Sequence, residues 1–338
     1  MIHKKKVLGI LLGDPSGIGP ELISKIISHN ILNKINVIII GDKHIFKKNL
    51  IKFNNKININ FINNSEEIEF TNNGKNFLNT TKNKINYPIG KVSKNSGLSV
   101  LNSIDMAVKL FNQKKLDGIN FAPFNKTSLD LAGMKFKDEL HYFKKKFKIK
   151  SYVCELNVLN NFWTARVTSH IPLKDVPKKI TIKNILKPIK LINNYLKING
   201  LKNPKIAVQA LNPHAEFGSE EKTIITPAIK QAKRLKINTY GPLPCDTSFI
   251  KAYKNKEFDC LIGMYHDAIQ SGLKSFGFDK GVTVQGGLPI PITTPAHGTA
   301  FDIVDKNQAN VNPTLESLKL LIKLTSYKKN LLNLIKLV

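Results

Sequence analysis

Uninterrupted apolar runs alternate along this chain with stretches in which apolar residues return every three or four positions. Val7 to Leu12, Val37 to Ile40, Gly118 to Ala122, Lys205 to Leu211 and Cys260 to Met264 read as strands. A strand covered on both faces has no polar side to show, so it reads as a continuous apolar run. Helical spacing is predicted from Glu21 onward, over Ser96 to Leu110, Ile180 to Leu196 and Thr226 to Leu235, and in an amphipathic tail over 313–335. Pro20 suits the first turn of the first of these helices. Residues 47–87, rich in Asn and Lys, are expected to form irregular or edge structure. Alternating strands and helices imply an α/β fold with a mainly parallel sheet covered on both faces. Ligands in such folds sit beyond the carboxyl ends of the strands. The loops 13–20, 123–126, 212–218 and 265–267 all follow apolar runs there.

Composition narrows the function classes. With 338 residues, two domains or lobes are expected. No apolar run approaches the roughly 20 residues that span a bilayer. His3-Lys4-Lys5-Lys6 followed by Val7 to Leu12 mimics a signal peptide. The apolar part is short, no small-residue cleavage site follows, and a strand is the better reading. The three cysteines, Cys154, Cys245 and Cys260, form no Cys-x-x-Cys, which suits a reducing cytoplasm. The net charge of +28 invites a nucleic-acid partner, yet only Arg166 and Arg234 among the 52 basic residues are arginine. Specific base readers lean on bidentate Arg contacts, so a specific nucleic-acid role is not expected. Weak, salt-sensitive phosphate binding by lysine is compatible with the composition.

Three of the eight histidines stand in unusual frames: His170 in Ser169-His170-Ile171-Pro172-Leu173, His214 in Asn212-Pro213-His214, and His266 in Tyr265-His266-Asp267. Neutral imidazole is a common ligand of divalent ions, and a catalytic site uses three protein ligands with one position open. Their spacings match no local zinc motif, and surface or satisfied core histidines are the alternative. The loop Gly13-Asp14-Pro15-Ser16-Gly17-Ile18-Gly19-Pro20 is neither Gly-x-Gly-x-x-Gly nor a P-loop. By itself it is a tight strand-to-helix turn.

Six segments together carry a resemblance: residues 13–21, Ala122-Pro123-Phe124-Asn125-Lys126, Asn212-Pro213-His214, Gly241-Pro242-Leu243-Pro244 with Asp246, Tyr265-His266-Asp267, and His297-Gly298-Thr299-Ala300-Phe301-Asp302-Ile303. In this order they resemble the 4-hydroxythreonine-4-phosphate dehydrogenase (PdxA) family of vitamin B6 biosynthesis. That family is related to the isocitrate and isopropylmalate dehydrogenases. The resemblance implies a two-lobed α/β/α fold with its active site in the cleft, and a homodimer whose interface completes each site. We place the lobes at 1–125 with 262–338 (cofactor side) and at 126–261 (metal, substrate and dimerisation). It further implies that His170, His214 and His266 are ligands of a divalent metal (Zn, Co, Mg or Mn), one from the partner subunit. His297, Gly298, Thr299, Ala300 and Asp302 would cradle NAD or NADP. Asp246, Asp267 and Lys274 are the candidate catalytic groups. For the two carboxylates capping or ligand support is the alternative, and for Lys274 a solvated surface position.

The departures from the family pattern concern substrate. Glu139 and Leu140 align where the family has His-Thr, and His141 could substitute only if the loop is shifted. Thr283 and Ile292 stand where the family has a substrate-contacting Asn and Arg. Losing an Arg removes a charge-assisted contact worth about 1.5–3 kcal/mol. The expected activity is therefore metal-dependent, NAD(P)-linked oxidation of a small hydroxy acid, with loss of CO2 where a carboxylate lies β to the new ketone. The acid is either the family's usual phosphorylated one or a different one, with or without a phosphate. A non-catalytic binding protein on the same scaffold is the third reading.

Overall fold

The computed structural model describes residues 5–53, 55–70, 74–277 and 280–326. In chain order these form β1 (Val7–Leu11), α1 (Gly19–Ile26), β2 (Asn36–Gly41), α2 (Lys43–Lys52), β3 (Asn60–Ile62), β4 (Lys75–Asn79), α3 (Lys94–Asn112), β5 (Gly118–Phe121), α4 (Lys126–Leu131) and α5 (Glu139–Lys146). There follow β6 (Cys154–Leu159), β7 (Phe162–Arg166), α6 (Val176–Lys179), α7 (Ile182–Ile198), β8 (Ile206–Gln209), α8 (Thr226–Arg234), β9 (Thr239–Leu243) and α9 (Cys245–Phe249). Last come β10 (Cys260–Gly263), α10 (His266–Gly277), β11 (Val282–Gly286), β12 (Ile292–Pro295) and α11 (Asn312–Thr325). The fold is α/β with mostly parallel strands, and among the described residues no helix is long and apolar enough to cross a membrane. The tail predicted over 313–335 is α11 as far as it is described, and residues from 327 on lie outside the described residues.

The chain divides into two compact units. One comprises the described residues up to Lys150 together with those from Ile290, the other those from Ser151 to Pro289. These bounds differ from the expected 125 and 262. Residues 126–146 form α4 and α5, which pack on α3, and β11 pairs with β6, so each segment stays with its packing partner.

In the first unit the strands run β3-β4-β2-β1-β5-β12, all parallel. Leu8, Ile10, Val37, Ile39 and Phe77 share one core with Ile23 and Ile26 of α1, Phe46 of α2 and Leu318 of α11. The segment 47–87, expected to be irregular or edge structure, holds the end of α2, the edge strand β3 and its neighbour β4. Asp42 starts α2, its Oδ1 accepting from the backbone N–H of His44 (2.7 Å) and Ile45 (3.2 Å). Its Oδ2 accepts from Tyr87 Oη at 3.0 Å. Asp42→Ala is expected to cost about 1–2 kcal/mol, the worth of an N-cap. A urea midpoint equal to that of the parent would refute this role. Gly97 lets α3 touch α4, since a Cβ there would run into the Ser128 carbonyl.

In the second unit the order is β11-β6-β7-β10-β8-β9. β11, β6 and β7 are joined antiparallel, and β7, β10, β8 and β9 are parallel. Trp163 of β7 is fully buried against Tyr195 of α7. Leu261 of β10 packs with Ile269 and Leu273 of α10 and with Phe249 of α9.

Candidate active site

The strand order of the second unit arranges the three histidines. Parallel β7, β10 and β8 lie side by side, and His170, His266 and His214 each follow the carboxyl end of one of them. After β7 and β10 the chains stay paired: Val167 N–H donates to Gly263 O (2.9 Å), and Thr168 N–H and Oγ1 both reach Met264 O. This brings the His170 and His266 rings to 5.1 Å between centroids. Both rings have a partner at Nδ1. For His266 it is Asp267 Oδ1 at 2.7 Å, and for His170 it is Ser169 Oγ at 3.2 Å. A carboxylate only accepts, so His266 carries its proton on Nδ1 when neutral and presents a bare Nε2. An unprotonated ring nitrogen is what a metal ligand must offer.

His214 stands on an exposed turn, Pro213–Ala215, its ring 6.1 Å from that of Phe217. His170, His214, Ala215 and Phe217 all have φ between 53° and 63°. Each such non-glycine residue stores strain on the order of 1–3 kcal/mol, and such residues gather at functional loops. Glu221, which the sequence reading missed, holds this loop. Its Oε1 accepts from the N–H of Leu211 and Asn212, each at 2.8 Å, and its Oε2 from Asn212 Nδ2 at 2.9 Å. Burial pulls its carboxyl upward, yet the bonds from Asn212 and Leu211 outweigh that and hold it below the ordinary range. Among the described residues, no three His, Cys, Asp or Glu groups of one chain gather in a metal-holding cluster.

The other candidates of this unit are placed as follows. Asp267 is exposed beside His266. Asp246 is exposed, and its Oδ1 accepts from Thr247 N–H at 2.9 Å. Lys274 is exposed on α10, two turns past His266. Thr283 on β11 accepts from Asn157 Nδ2 at 3.0 Å, which leaves its own hydroxyl able to donate. An Asn in that place would also offer a donor, so this substitution preserves the hydrogen-bonding sense.

The first unit assembles the glycine-rich turn and the 297–302 loop, which come from opposite ends of the chain. Ile18 N–H donates to Thr299 O at 3.1 Å, and Gly17 lies where a Cβ would press on Thr299. Ala300 is left-handed, with φ 43°. His297 donates from Nδ1 to Gly298 O at 3.0 Å. Its Nε2 is buried with no partner among the described residues. Burial holds this imidazole below its ordinary pKa, against the Gly298 bond, so it remains neutral with a bare acceptor. Nothing lies near the Cβ position of Gly298. Asp302 sits in the short turn Phe301–Ile303. Asp14, a second residue the sequence reading did not single out, is fully buried, its Oδ1 accepting from Ser16 N–H at 2.8 Å. Burial pushes its carboxyl up to about 6, against hydrogen bonds from Ser16, Ser128 and Ser96 that pull it down.

The departures at 139–141 and at Ile292 also lie in this unit. Leu140 is buried, Glu139 is half-buried, and His141 Nδ1 pairs at 2.5 Å with Asp138 Oδ1, which also caps α5. Ile292 is fully buried on β12, in register with Ile119 of β5.

Comparison with known proteins places this architecture. The family model described as "Pyridoxal phosphate biosynthetic protein PdxA" matches residues 33–321. A Pasteurella multocida protein named "Putative 4-hydroxythreonine-4-phosphate dehydrogenase" is 40% identical over 90% of this chain and 93% of its own. The D-threonate 4-phosphate dehydrogenase of Salmonella typhimurium is 31% identical over 94% of this chain and 99% of its own. The crystal structure of 4-hydroxythreonine-4-phosphate dehydrogenase from Klebsiella pneumoniae superposes with a TM-score of 0.82 at 27% identity, covering 96% of this chain and 99% of that one. A match along nearly the whole length, in fold as in sequence, means that this chain is a dehydrogenase of the PdxA family.

Proposed function

We propose that the chain oxidises the C3 secondary alcohol of a four-carbon hydroxy acid bearing a terminal phosphate. Hydride passes to NAD or NADP, and a divalent ion is held by His170, His214 and His266. The observation that carries this reading is the arrangement of the histidines. All three follow neighbouring strand ends, and Nδ1 of both His170 and His266 is engaged. One of the three ligands is contributed by a second copy of the chain, so that the site is shared between two copies.

The donor set suits a borderline divalent ion, which would acidify a bound hydroxyl and polarise the ketone formed from it. Asp267 holds the His266 ring in its ligand tautomer, and Asp246 is the candidate to receive the hydroxyl proton. A nicotinamide cofactor, NAD or NADP, held at the 297–302 loop would take up the hydride of the alcohol C–H bond as the C–O bond becomes a carbonyl, the hydroxyl proton being the one released. Lys274 supplies a cation to the substrate's anionic end, and Thr283 supplies a hydroxyl donor. In the cofactor loop the bare His297 Nε2 and the open space beside Gly298 suit a hydroxyl and a close-lying ligand backbone. Where the acid carries its carboxylate β to the new ketone, CO2 can leave as the enolate forms.

Two relatives name two acids of this kind, 4-hydroxythreonine-4-phosphate and D-threonate 4-phosphate. The buried Leu140 and Ile292 favour an altered clamp over the usual one, and hence an acid other than hydroxythreonine phosphate. The test is NADH formation by the purified protein with added divalent metal. The substrates are both phosphorylated acids and their unphosphorylated forms. Turnover of D-threonate 4-phosphate above the others is expected. Turnover confined to unphosphorylated acids would overturn the phosphate assignment, and no turnover of any acid would overturn the reading as a whole.

A further inference from the structure

Arg166 is one of only two arginines in the chain, and 3% of it is exposed. It closes β7, four residues before His170. Its Nε donates to Ser169 Oγ at 2.9 Å, its Nη1 donates to Asn157 Oδ1 at 2.8 Å, and its Nη2 pairs with Glu155. Each branch leads somewhere different. Ser169 Oγ meets His170 Nδ1 at 3.2 Å. Asn157 Oδ1 also accepts from Gln270 Nε2 at 2.7 Å. With both of its lone pairs taken by N–H donors, the Asn157 amide cannot flip, and its Nδ2 is aimed at Thr283 Oγ1, 3.0 Å away. The register allows this, since Thr283 lies opposite Asn157 in the β11–β6 pair and Asn157 opposite Thr164 in the β6–β7 pair.

We infer that Arg166 is a positioning residue that sets two parts of the site at once: the ligand histidine His170 through Ser169, and the substrate-facing Thr283 through Asn157. The inference rests on the metal reading above. An arginine fork suits the task because its planar donors leave in fixed directions. Ser169 Oγ already accepts from Arg166, and its remaining lone pair accepts Nδ1–H of His170, which leaves the ring unprotonated at Nε2. Glu155 makes the buried guanidinium tolerable, because a charge out of water needs a partner.

The test separates the two branches in the full-length protein. Cobalt(II) affinity is read by absorbance titration, without turnover, and KM for the phosphorylated acid is read separately. Ser169→Ala is expected to weaken cobalt about 10-fold, the size typical of ligand-orienting contacts, and to leave KM unchanged. Thr283→Val is expected to raise KM and leave cobalt affinity unchanged. Arg166→Lys, which keeps the charge and loses the fork, is expected to shift both. Cobalt binding by Ser169→Ala as tight as that of the parent overturns the inference, and so does a folded Arg166→Lys protein with both values unchanged. If Arg166→Lys does not fold, Ser169→Ala and Thr283→Val still decide the matter. A parent protein that binds no divalent ion overturns the functional reading and this inference with it.

Discussion

His266→Ala is expected to lower kcat/KM by at least ~10³-fold while the protein stays folded, a loss of about 4 kcal/mol of transition-state stabilisation. The side chain is about one-third exposed, so its loss opens no enclosed cavity. In the proposed site, what would disappear is a ligand whose tautomer Asp267 sets, and with it the field that would acidify the substrate hydroxyl. Metal content after dialysis, unfolding temperature and NADH formation together check the result. Full metal content with kcat/KM within tenfold of the parent would remove His266 from the ligand set. His170→Ala should behave alike, and the double variant should fall little further, because ligands that act as a unit are not additive.

Asp14→Asn is expected to gain stability relative to the parent as pH rises. The Asp14 carboxyl ordinarily titrates near 3.8 and is pushed up to about 6 by burial. Between these values the folded state holds a proton that the unfolded chain has released. Folded stability therefore falls as pH rises through this window, and the full deficit is present above pH ~6. The displacement corresponds to on the order of 3 kcal/mol. Asparagine cannot ionise and carries no such term. Urea midpoints of both proteins at steps from pH 4 to 7 should diverge in favour of the variant. A constant difference across the series would mean that Asp14 titrates as an ordinary carboxylate. The parent retains this unfavourable charge in the turn that seats the 297–302 loop, where Ser16 and Thr299 meet their partners.

The doubly covered strands were legible because burial on both faces leaves an unbroken apolar run, as in β1, β2 and β10. β3, β4 and α2 were not. Asn and Lys are interleaved among their few apolar anchors, such as Phe46, Phe61 and Phe77, and it is the packing of these rings on one another that identifies them. β11 and β12 were missed as well, because their polar positions Gln285 and Thr293 are buried and break the apolar run. The histidines of the candidate site could be read from their frames, but not their approach. His170 and His266 meet only because β7 and β10 are adjacent, a fact of sheet order. Arg166, Asn157 and Glu155 carry no local signature at all. Their relation exists only in the cross-strand register, and a one-residue slip would turn them to the other face.

Asn120 ties the last part of the chain to the first: its buried Nδ2 reaches Thr293 Oγ1 at 3.0 Å and Ser317 Oγ at 2.8 Å, partners 173 and 197 positions away. During synthesis β5 therefore waits as an open sheet edge while the whole of the contiguous unit from Ser151 to Pro289 is made. At ribosomal speeds of about 5–20 residues per second, that interval is on the order of ten to thirty seconds. For that time the nascent first unit presents an unpaired strand whose Asn120 amide still lacks its native partners, both invitations to pair wrongly. The part of the chain begun first is finished last, and a polypeptide cut short before residue 290 would carry that exposed edge permanently.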